Sequence, residues 1–172
     1  MGLNDTQQRI LTPFVRETIK TLNDMAGLNA YAGEGFEDSM EKFKFKGYAI
    51  AADTFGSIGG KMLMHLYIET AIAIGNKVRA KVLGETDEAS SVTEEIGDTL
   101  AEFGNTAIGL ATRELEKTDL GIKFKPPYFV MSTEEMDVMM QGVKEILSVP
   151  IHVEGVGRFY FNYLLHGQTE AA

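Results

Sequence analysis

The sequence predicts an α+β fold, a single two-layer domain with a mainly antiparallel sheet and helices packed on one face. Three observations support this prediction. Segments with helical periodicity and segments that alternate apolar with polar residues follow one another as helix, strands, helix, helix, strands. The 172 residues suit one domain with a sizeable core. They show no domain boundary, so we expect one domain over residues 1–172, with 1–10 and 167–172 lacking fixed structure.

The charge of the chain restricts its partners. A net charge of -9 argues against nucleic acid, because phosphate binding needs a cationic surface, but it suits a partner that offers Lys or Arg. The chain has no cysteine, which excludes disulfides and thiolate chemistry. No apolar run reaches the ~18 residues of a membrane span. We therefore expect a cytoplasmic protein that does not enter membranes.

The first helix is predicted to end near Ala26, because Gly27 can adopt the left-handed conformation that stops a helix. Its start has two solutions. Thr12 followed by Pro13 places proline at the first helical position, where it is well tolerated. Alternatively, the helix begins near Asp5 and bends at Pro13. The sequence does not distinguish these solutions.

The strands of the first half follow a weakly structured stretch. Residues 28–42 are predicted to form an acidic, solvated connection. Residues 42–54 alternate phenylalanine with lysine at first, which predicts a half-buried edge strand with its lysines in water. After a turn at 55–60, residues 61–67 are apolar on both faces apart from His65, so this strand should lie inside the sheet.

The second half repeats these periodicities. They predict a helix at 69–83, an acidic linker at 85–90, a long helix at 91–116, a strand at 121–131 and a final hairpin of strands 143–153 and 156–165. Pro126 and Pro127 cannot join a central ladder, so the strand that contains them is interrupted or lies at an edge. Residues 131–142 form either a helical turn or a loop.

The helix at 91–116 is the most informative stretch. Ser91 or Thr93 caps it, and its predicted apolar face consists of Val92, Ile96, Leu100, Phe103, Ala107 and Leu110. Asp98, Glu102 and Asn105 fall within a narrow arc on the opposite face. Most stripes of this kind are ordinary solvated faces.

Three glycines in this helix suggest more than a solvated face. Each costs roughly 1 kcal/mol relative to alanine in a helix interior, so packing or function must compensate. Gly97 and Gly104 line one flank with Ala101, where another element could pack closely. Gly109 lies beside Asn105 on the polar face, where the backbone of a partner could approach.

The polar residues form an ordered motif. Glu102 and Asn105 make an E-x-x-N, Asp98 lies four residues before the glutamate, and Pro126-Pro127 follows after twenty intervening residues. This set resembles the motif of the CheX phosphatases, relatives of CheC and FliY that dephosphorylate the chemotaxis response regulator CheY. The order of predicted elements extends the resemblance over nearly the whole chain, and residues 123–132 resemble the Pro-Pro strand of the family.

The resemblance implies a CheC-like fold and a phosphatase that acts on the aspartyl phosphate of a CheY-type response regulator. Asn105 would position the attacking water, and Glu102 would pair with the active-site lysine of the regulator. Asp98 and Gly109 would add partner contacts. The resemblance also implies a homodimer that needs no metal or cofactor of its own, because the phosphorylated regulator supplies Mg²⁺.

Two other interpretations remain. The helix could belong to a non-catalytic module that binds a phosphorylated regulator or a flagellar-switch partner, although the presence of Asn105 favours the enzyme. Alternatively, the stripe is only solvated, in a structural or small-ligand domain. His65, His152 and His166 lack the spacing of metal ligands, so no metal site is expected.

A faint internal repeat is also visible. The segment 20–27 can be laid over 98–105, which matches Asp24 with Glu102 and replaces Asn105 by Gly27. If this repeat exists, the first copy lacks the carboxamide and only the second copy could act.

Overall fold

A computed structural model of the protein describes residues 2–39, 41, 43, 45, 47–57 and 59–166. The helices of this part are α1 (Asp5–Ala26), α2 (Ile68–Leu83), α3 (Glu94–Glu116) and α4 (Thr133–Met140). Its strands are β1 (Ala30–Ala32), β2 (Phe36–Asp38), β3 (Tyr48–Gly56), β4 (Gly60–Leu66), β5 (Ile122–Phe124), β6 (Tyr128–Val130), β7 (Val143–Val153) and β8 (Gly157–His166). The α+β prediction is confirmed.

All these strands join one antiparallel sheet in the order β1-β7-β8-β4-β3-β5. The short strands β2 and β6 pair with β7 and β3, beside β1 and β5 respectively. Two hairpins, β3–β4 and β7–β8, therefore meet at the centre, where Met62 lies opposite Tyr163. The prediction that residues 61–67 lie inside the sheet is confirmed, because β4 has neighbours on both sides.

The three long helices cover one face of the sheet. Alternation along β3 turns Ile50 and Ala52 toward these helices, and Ala49 and Ala51 toward the opposite face. The opposite face is apolar as well, and the short helix α4 covers it with Met136. The long helices thus lie on one face as predicted, while α4 protects apolar strand residues on the other.

Helix α1 begins at Asp5 and continues through Pro13, which decides between the two predicted starts. Asn4 caps the helix through a reciprocal pair of hydrogen bonds with Gln7, each 2.9 Å long. The expectation that residues 1–10 lack fixed structure is therefore wrong for residues 2–10. Residues 167–172 lie outside the described part of the chain.

Two predictions for residues 28–54 are wrong. The supposed acidic connection contains β1 and β2, whose three residues each are held by pairing with β7. Strand β3 begins at Tyr48 and is not an edge strand, because β4 flanks it on one side and β5 and β6 on the other. Lys42, Lys44 and Lys46 lie outside the described residues.

Predictions for the second half hold. The strand predicted at 121–131 is divided into β5 and β6 around Pro126 and Pro127, at the edge of the sheet. The stretch 131–142 contains a helix, α4, which Ser132 caps by accepting a hydrogen bond from the Glu135 amide. No described helix is long and apolar enough to cross a membrane.

The chain is an internal duplication. A helix, two three-residue strands and a hairpin occur twice, and the sheet order reads the same from both edges. Six of the nine buried positions of α1 fall on buried positions of α3 at a constant offset of 93 residues, for example Ile10 with Phe103 and Leu22 with Leu115. The repeat predicted from the sequence exists, but its register of 20–27 over 98–105 is wrong.

The connection between α2 and α3 is fixed by Arg79, which is buried. Its guanidinium donates to the carboxylates of Glu85 and Glu95 and, at 3.4 Å, to the Asp87 carbonyl. Asn76 adds two 2.9 Å hydrogen bonds to the backbone of Ala89. These contacts attach the acidic linker to α2 and set the start of α3.

We expect Arg79→Ala to lower the free energy of unfolding by about 2 kcal/mol, because charge-assisted hydrogen bonds are lost from a buried donor. Urea unfolding measures the loss, and hydrogen exchange at the Ala89 amide reports release of the linker. Arg113→Ala, at an exposed position of α3, is the control and should change stability by no more than about 0.5 kcal/mol. Unchanged protection of Ala89 would contradict the assignment.

Candidate functional site

One face of helix α3 packs on the core. Thr93 caps it by accepting a hydrogen bond from the Ile96 amide at 3.2 Å, and the two glutamates of its first turn lie where the helix dipole favours negative charge. Its buried residues are Ile96, Leu100, Phe103, Gly104, Ala107, Ile108, Ala111 and Leu115. Leu110, predicted on this face, is 38 % exposed, because the buried stripe passes through Ala111 instead.

The glycine flank of α3 rests on the sheet. A Cβ atom added at Gly104 would lie 2.8 Å from Cδ1 of Ile50 and closer still to Cγ2. A Cβ atom at Gly97 would lie 3.8 Å from the Phe129 ring, which is an ordinary contact. The close approach predicted for this flank is therefore confirmed at Gly104.

The predicted site residues lie in one line on the outer side of α3. Asp98, Glu102 and Asn105 are exposed, and Gly109 follows one turn later with no atom within 4 Å of an added Cβ. We call these four residues the α3 ridge. Neighbouring Cβ atoms along such a line are roughly 5–6 Å apart. The polar part from Asp98 to Asn105 is about 10 Å long.

The polar side chains of the α3 ridge have no partner within the described chain. Asp98, Glu102 and Asn105 take part in no side-chain hydrogen bond or ion pair there. Thr99 and Thr106, which lie beside them, bond to the backbone carbonyls of their own helix at 2.7 and 3.0 Å. The α3 ridge thus offers two carboxylates and one carboxamide to an external partner.

Two other acidic residues of α3 are paired. Glu95 binds Arg79, and Glu114 binds Arg16 of α1. Glu94 and Glu116, at the two ends of the helix, have no such partner in the described chain. Between Glu95 and Glu114, the carboxylates of the α3 ridge are not used to hold the fold together.

Strand β6, which follows the proline pair, is anchored beneath the first half of α3. The ring of Phe129 stacks on Tyr48 with centroids 5.6 Å apart, on the side that faces Gly97. On the other face, the Tyr128 hydroxyl donates to Asp53 at 2.8 Å, and Lys61 forms an ion pair with the same carboxylate at 2.8 Å. The sequence does not predict this anchor, because only the pairing of β3 with β4 and β6 brings these residues together.

The pKa of Asp53 reflects this environment. Burial raises it, but the hydrogen bonds from Lys61 and Tyr128 and the charges of Lys61 and Lys125 outweigh burial, so the pKa lies below its ordinary value. A lowered pKa in the folded state stabilises the fold above the unfolded-state pKa of about 3.9. This stabilisation disappears as the pH falls through the folded-state pKa.

We expect Asp53→Asn to be less stable than the native chain at pH 7, and the difference to shrink as the pH falls below about 4. Free energies of unfolding from urea titrations at pH 7, 5, 4 and 3 measure it. Asp137→Asn, at an exposed position of α4, provides the control for removal of a negative charge. A difference that stays constant from pH 7 to pH 3 would show that the Asp53 carboxylate does not stabilise the anchor.

The first copy of the repeat does not reproduce the α3 ridge. The offset of 93 residues places Asp5, Arg9, Thr12 and Arg16 of α1 where α3 has Asp98, Glu102, Asn105 and Gly109. Both arginines are used internally, since Arg9 pairs with Asp119 at 3.0 Å and Arg16 pairs with Glu114. The first copy therefore lacks both the carboxamide and a free glutamate.

The described residues contain no group of three or more His, Asp or Glu side chains that could hold a metal ion. The α3 ridge itself offers two kinds of polar group. Carboxylates accept hydrogen bonds and pair with cations, while the neutral carboxamide both donates and accepts.

The sequence and the fold resemble known chemotaxis proteins. The sequence model of the family described as "Chemotaxis phosphatase CheX" matches residues 48–152, which include α3 and both prolines. A comparison with curated protein sequences finds no match.

Solved structures share the fold at low sequence identity. Chemotaxis protein CheX from Desulfovibrio desulfuricans is 19 % identical, with a TM-score of 0.69 over 92 % of this chain and 99 % of that one. CheX in the CheX-CheY-BeF3-Mg complex from Borrelia burgdorferi is 22 % identical, with a TM-score of 0.67 over 92 % and 98 %. FliY from Thermotoga maritima is 14 % identical, with a TM-score of 0.68 over 96 % and 92 %.

Proposed function

Because the chain belongs to the family of the chemotaxis phosphatase CheX, we propose that it hydrolyses the aspartyl phosphate of a CheY-type response regulator. The observation that carries this proposal is the α3 ridge, where Glu102 and Asn105 stand exposed, unpaired and one turn apart on a helix fixed to the sheet. The Borrelia burgdorferi complex, in which a protein of this fold occurs with CheY, supports the class of partner.

The reaction does not require the phosphatase to form a covalent bond with the substrate. An aspartyl phosphate is a reactive acyl phosphate, so hydrolysis mainly needs a water molecule held in line with the bond that breaks. Asn105 holds this water through its carboxamide. A neutral group suits the task, because a carboxylate at the same position would be repelled by the phosphoryl oxygens.

Glu102 and Asp98 set the position of the regulator. Glu102 pairs with the active-site lysine of the regulator, and Asp98 contacts the rim of that site. Since neither carboxylate has a partner in the described chain, docking does not require an internal ion pair to break. The regulator supplies the magnesium ion, and this chain contributes no cofactor. We also propose that the protein acts in the cytoplasm as a homodimer.

We expect Asn105→Ala to reduce regulator-phosphate hydrolysis by about 100-fold or more while binding changes little, because the variant loses the group that positions water. The measurement is the decay of a phosphorylated CheY-type regulator with Mg²⁺, together with a binding titration. Thr106→Ala is the matched control, since Thr106 is exposed beside Asn105 and bonds only to the Glu102 carbonyl. It should keep nearly native hydrolysis.

The same assay separates the candidate functions. Hydrolysis that continues unchanged in Asn105→Ala would refute the proposed mechanism. If the native chain binds regulators without accelerating decay, it is a non-catalytic docking module. If it neither binds nor accelerates, the polar stripe is an ordinary solvated face.

We expect Gly109→Ala to affect stability and docking in opposite directions. The added Cβ meets no atom within 4 Å, so the variant should gain up to about 1 kcal/mol of helix stability. The same methyl group stands on the α3 ridge where the partner approaches, and it should weaken regulator binding about fivefold or more. Urea unfolding and a binding titration measure both effects. An unchanged Kd would show that the docked surface ends before Gly109.

A further inference from the structure

The tightest contact beneath the α3 ridge lies next to Asn105 in the sequence. Gly104 is buried, and the side chain below it, Ile50, is only 1 % exposed. An added Cβ would lie within 2.8 Å of two carbon atoms of Ile50 and 3.2 Å from its Cβ. No ordinary carbon–carbon contact is that short, so the Ile50 side chain, the strand or the helix must move to accept a methyl group.

Ile50 has little freedom to yield. It lies in β3 with Met64 of β4 opposite on one side and Phe129 of β6 on the other. Its β-branched side chain has few allowed rotamers, and the surrounding core is closely packed. The backbone of β3 is held by hydrogen bonds to both neighbours. The movement that remains is a displacement of α3 away from the sheet.

The duplicated half of the chain carries the alternative arrangement. The offset of 93 residues places Leu11 of α1 at the position of Gly104. Beside this leucine, an open groove of about 420 Å³ runs between α1 and the sheet, lined in part by Val15, Ala32 and Val149. The first copy thus carries a buried side chain at this position, whereas α3 has none there and contacts its strand directly.

We propose that Gly104 is a positioning residue for the phosphatase reaction, which sets the height of Asn105 above the sheet by allowing α3 to rest on Ile50. This inference rests on the proposed function. A displacement of about 1 Å can reduce a reaction that depends on positioning by about 100-fold. The Glu102 side chain has one more methylene than that of Asn105, so its ion pair can adjust to a displacement better than water positioning can.

Four variants test the proposal: Gly104→Ala, Ile50→Ala, the double variant and Gly97→Ala. Gly97→Ala is the matched control, because it adds the same methyl group to the same flank where there is room for it. Ile50→Ala removes the two carbon atoms that would lie within 2.8 Å of the new methyl group and leaves only the Cβ atom at 3.2 Å. For each variant, kcat and KM for regulator-phosphate hydrolysis and the thermal unfolding midpoint are measured.

We expect Gly104→Ala to lower kcat 10- to 100-fold with KM changed less than threefold, and Gly97→Ala to stay near native values. Adding Ile50→Ala should restore kcat to within about threefold of Ile50→Ala alone and raise the unfolding midpoint above that of the single Ile50 variant. If Gly104→Ala keeps native kcat, or the folded double variant remains as slow as Gly104→Ala, the proposal is wrong. If Gly104→Ala alone does not fold, a folded double variant that is more than about threefold slower than Ile50→Ala overturns the proposal.

Crystal structures of the native chain and of the double and single Gly104 variants provide a readout that does not depend on hydrolysis. We expect the distance between the Cα atoms of residues 104 and 50 to increase by about 1 Å in Gly104→Ala and to return in the double variant. An unmoved helix with Ile50 rotated aside overturns the positioning role. If the native chain itself fails to accelerate phosphate decay, the proposed function fails, and the helix displacement still decides whether Gly104 sets the height of α3.

Discussion

The direct contact between α3 and β3 is the constraint on which the arrangement of the site depends. A helix that offers polar groups to a partner needs its other side fixed, because a mobile support would spread those groups over many positions. Gly104 brings α3 onto Ile50, and Gly75 of α2 approaches Ile96 at the other end, where an added Cβ would lie 2.9 Å away. Glycine weakens a helix locally, and here the close packing it permits compensates.

The acidic side chains of α3 also divide into those that hold the fold together and those that face outward. Glu95 and Glu114, toward its two ends, pair with Arg79 and Arg16 and join the helix to α2 and α1. The carboxylates between them are left without partners in the described chain. The first copy uses the equivalent face differently, because Arg16 of α1 binds Glu114 near the end of α3 and Arg9 binds Asp119 in the turn that follows. Of the two equivalent helix faces, the one on α1 thus helps to assemble the domain, and the one on α3 is free for a partner.

Sequence patterns located what depends on local periodicity. The buried stripe of α3, the final hairpin and the break at the proline pair all follow from spacing within one segment. Features that depend on distant pairing were missed. β1 and β2 are too short to be stable alone and exist through β7, and the Asp53 anchor needs the register of three strands. The repeat was predicted in the wrong register, because the alignment rested on a few short matches. The register is fixed by which residues are buried, and that pattern is visible only in the folded chain.

The charge of the protein places a further condition on the proposed docking. Under the proposed function, a chain of net charge -9 docks on a site that holds a negatively charged phosphoryl group. Like charges repel at long range, although salt limits this repulsion to a distance of about 8–10 Å. Binding must therefore depend on short-range pairing, for which Glu102 needs a cation directly opposite. A neutral asparagine beside it adds no repulsion at the phosphoryl group. Under the proposed function, the combination of one unpaired glutamate and one carboxamide thus selects a site that contains both a lysine and a phosphoryl group, and disfavours acidic surfaces that lack the lysine.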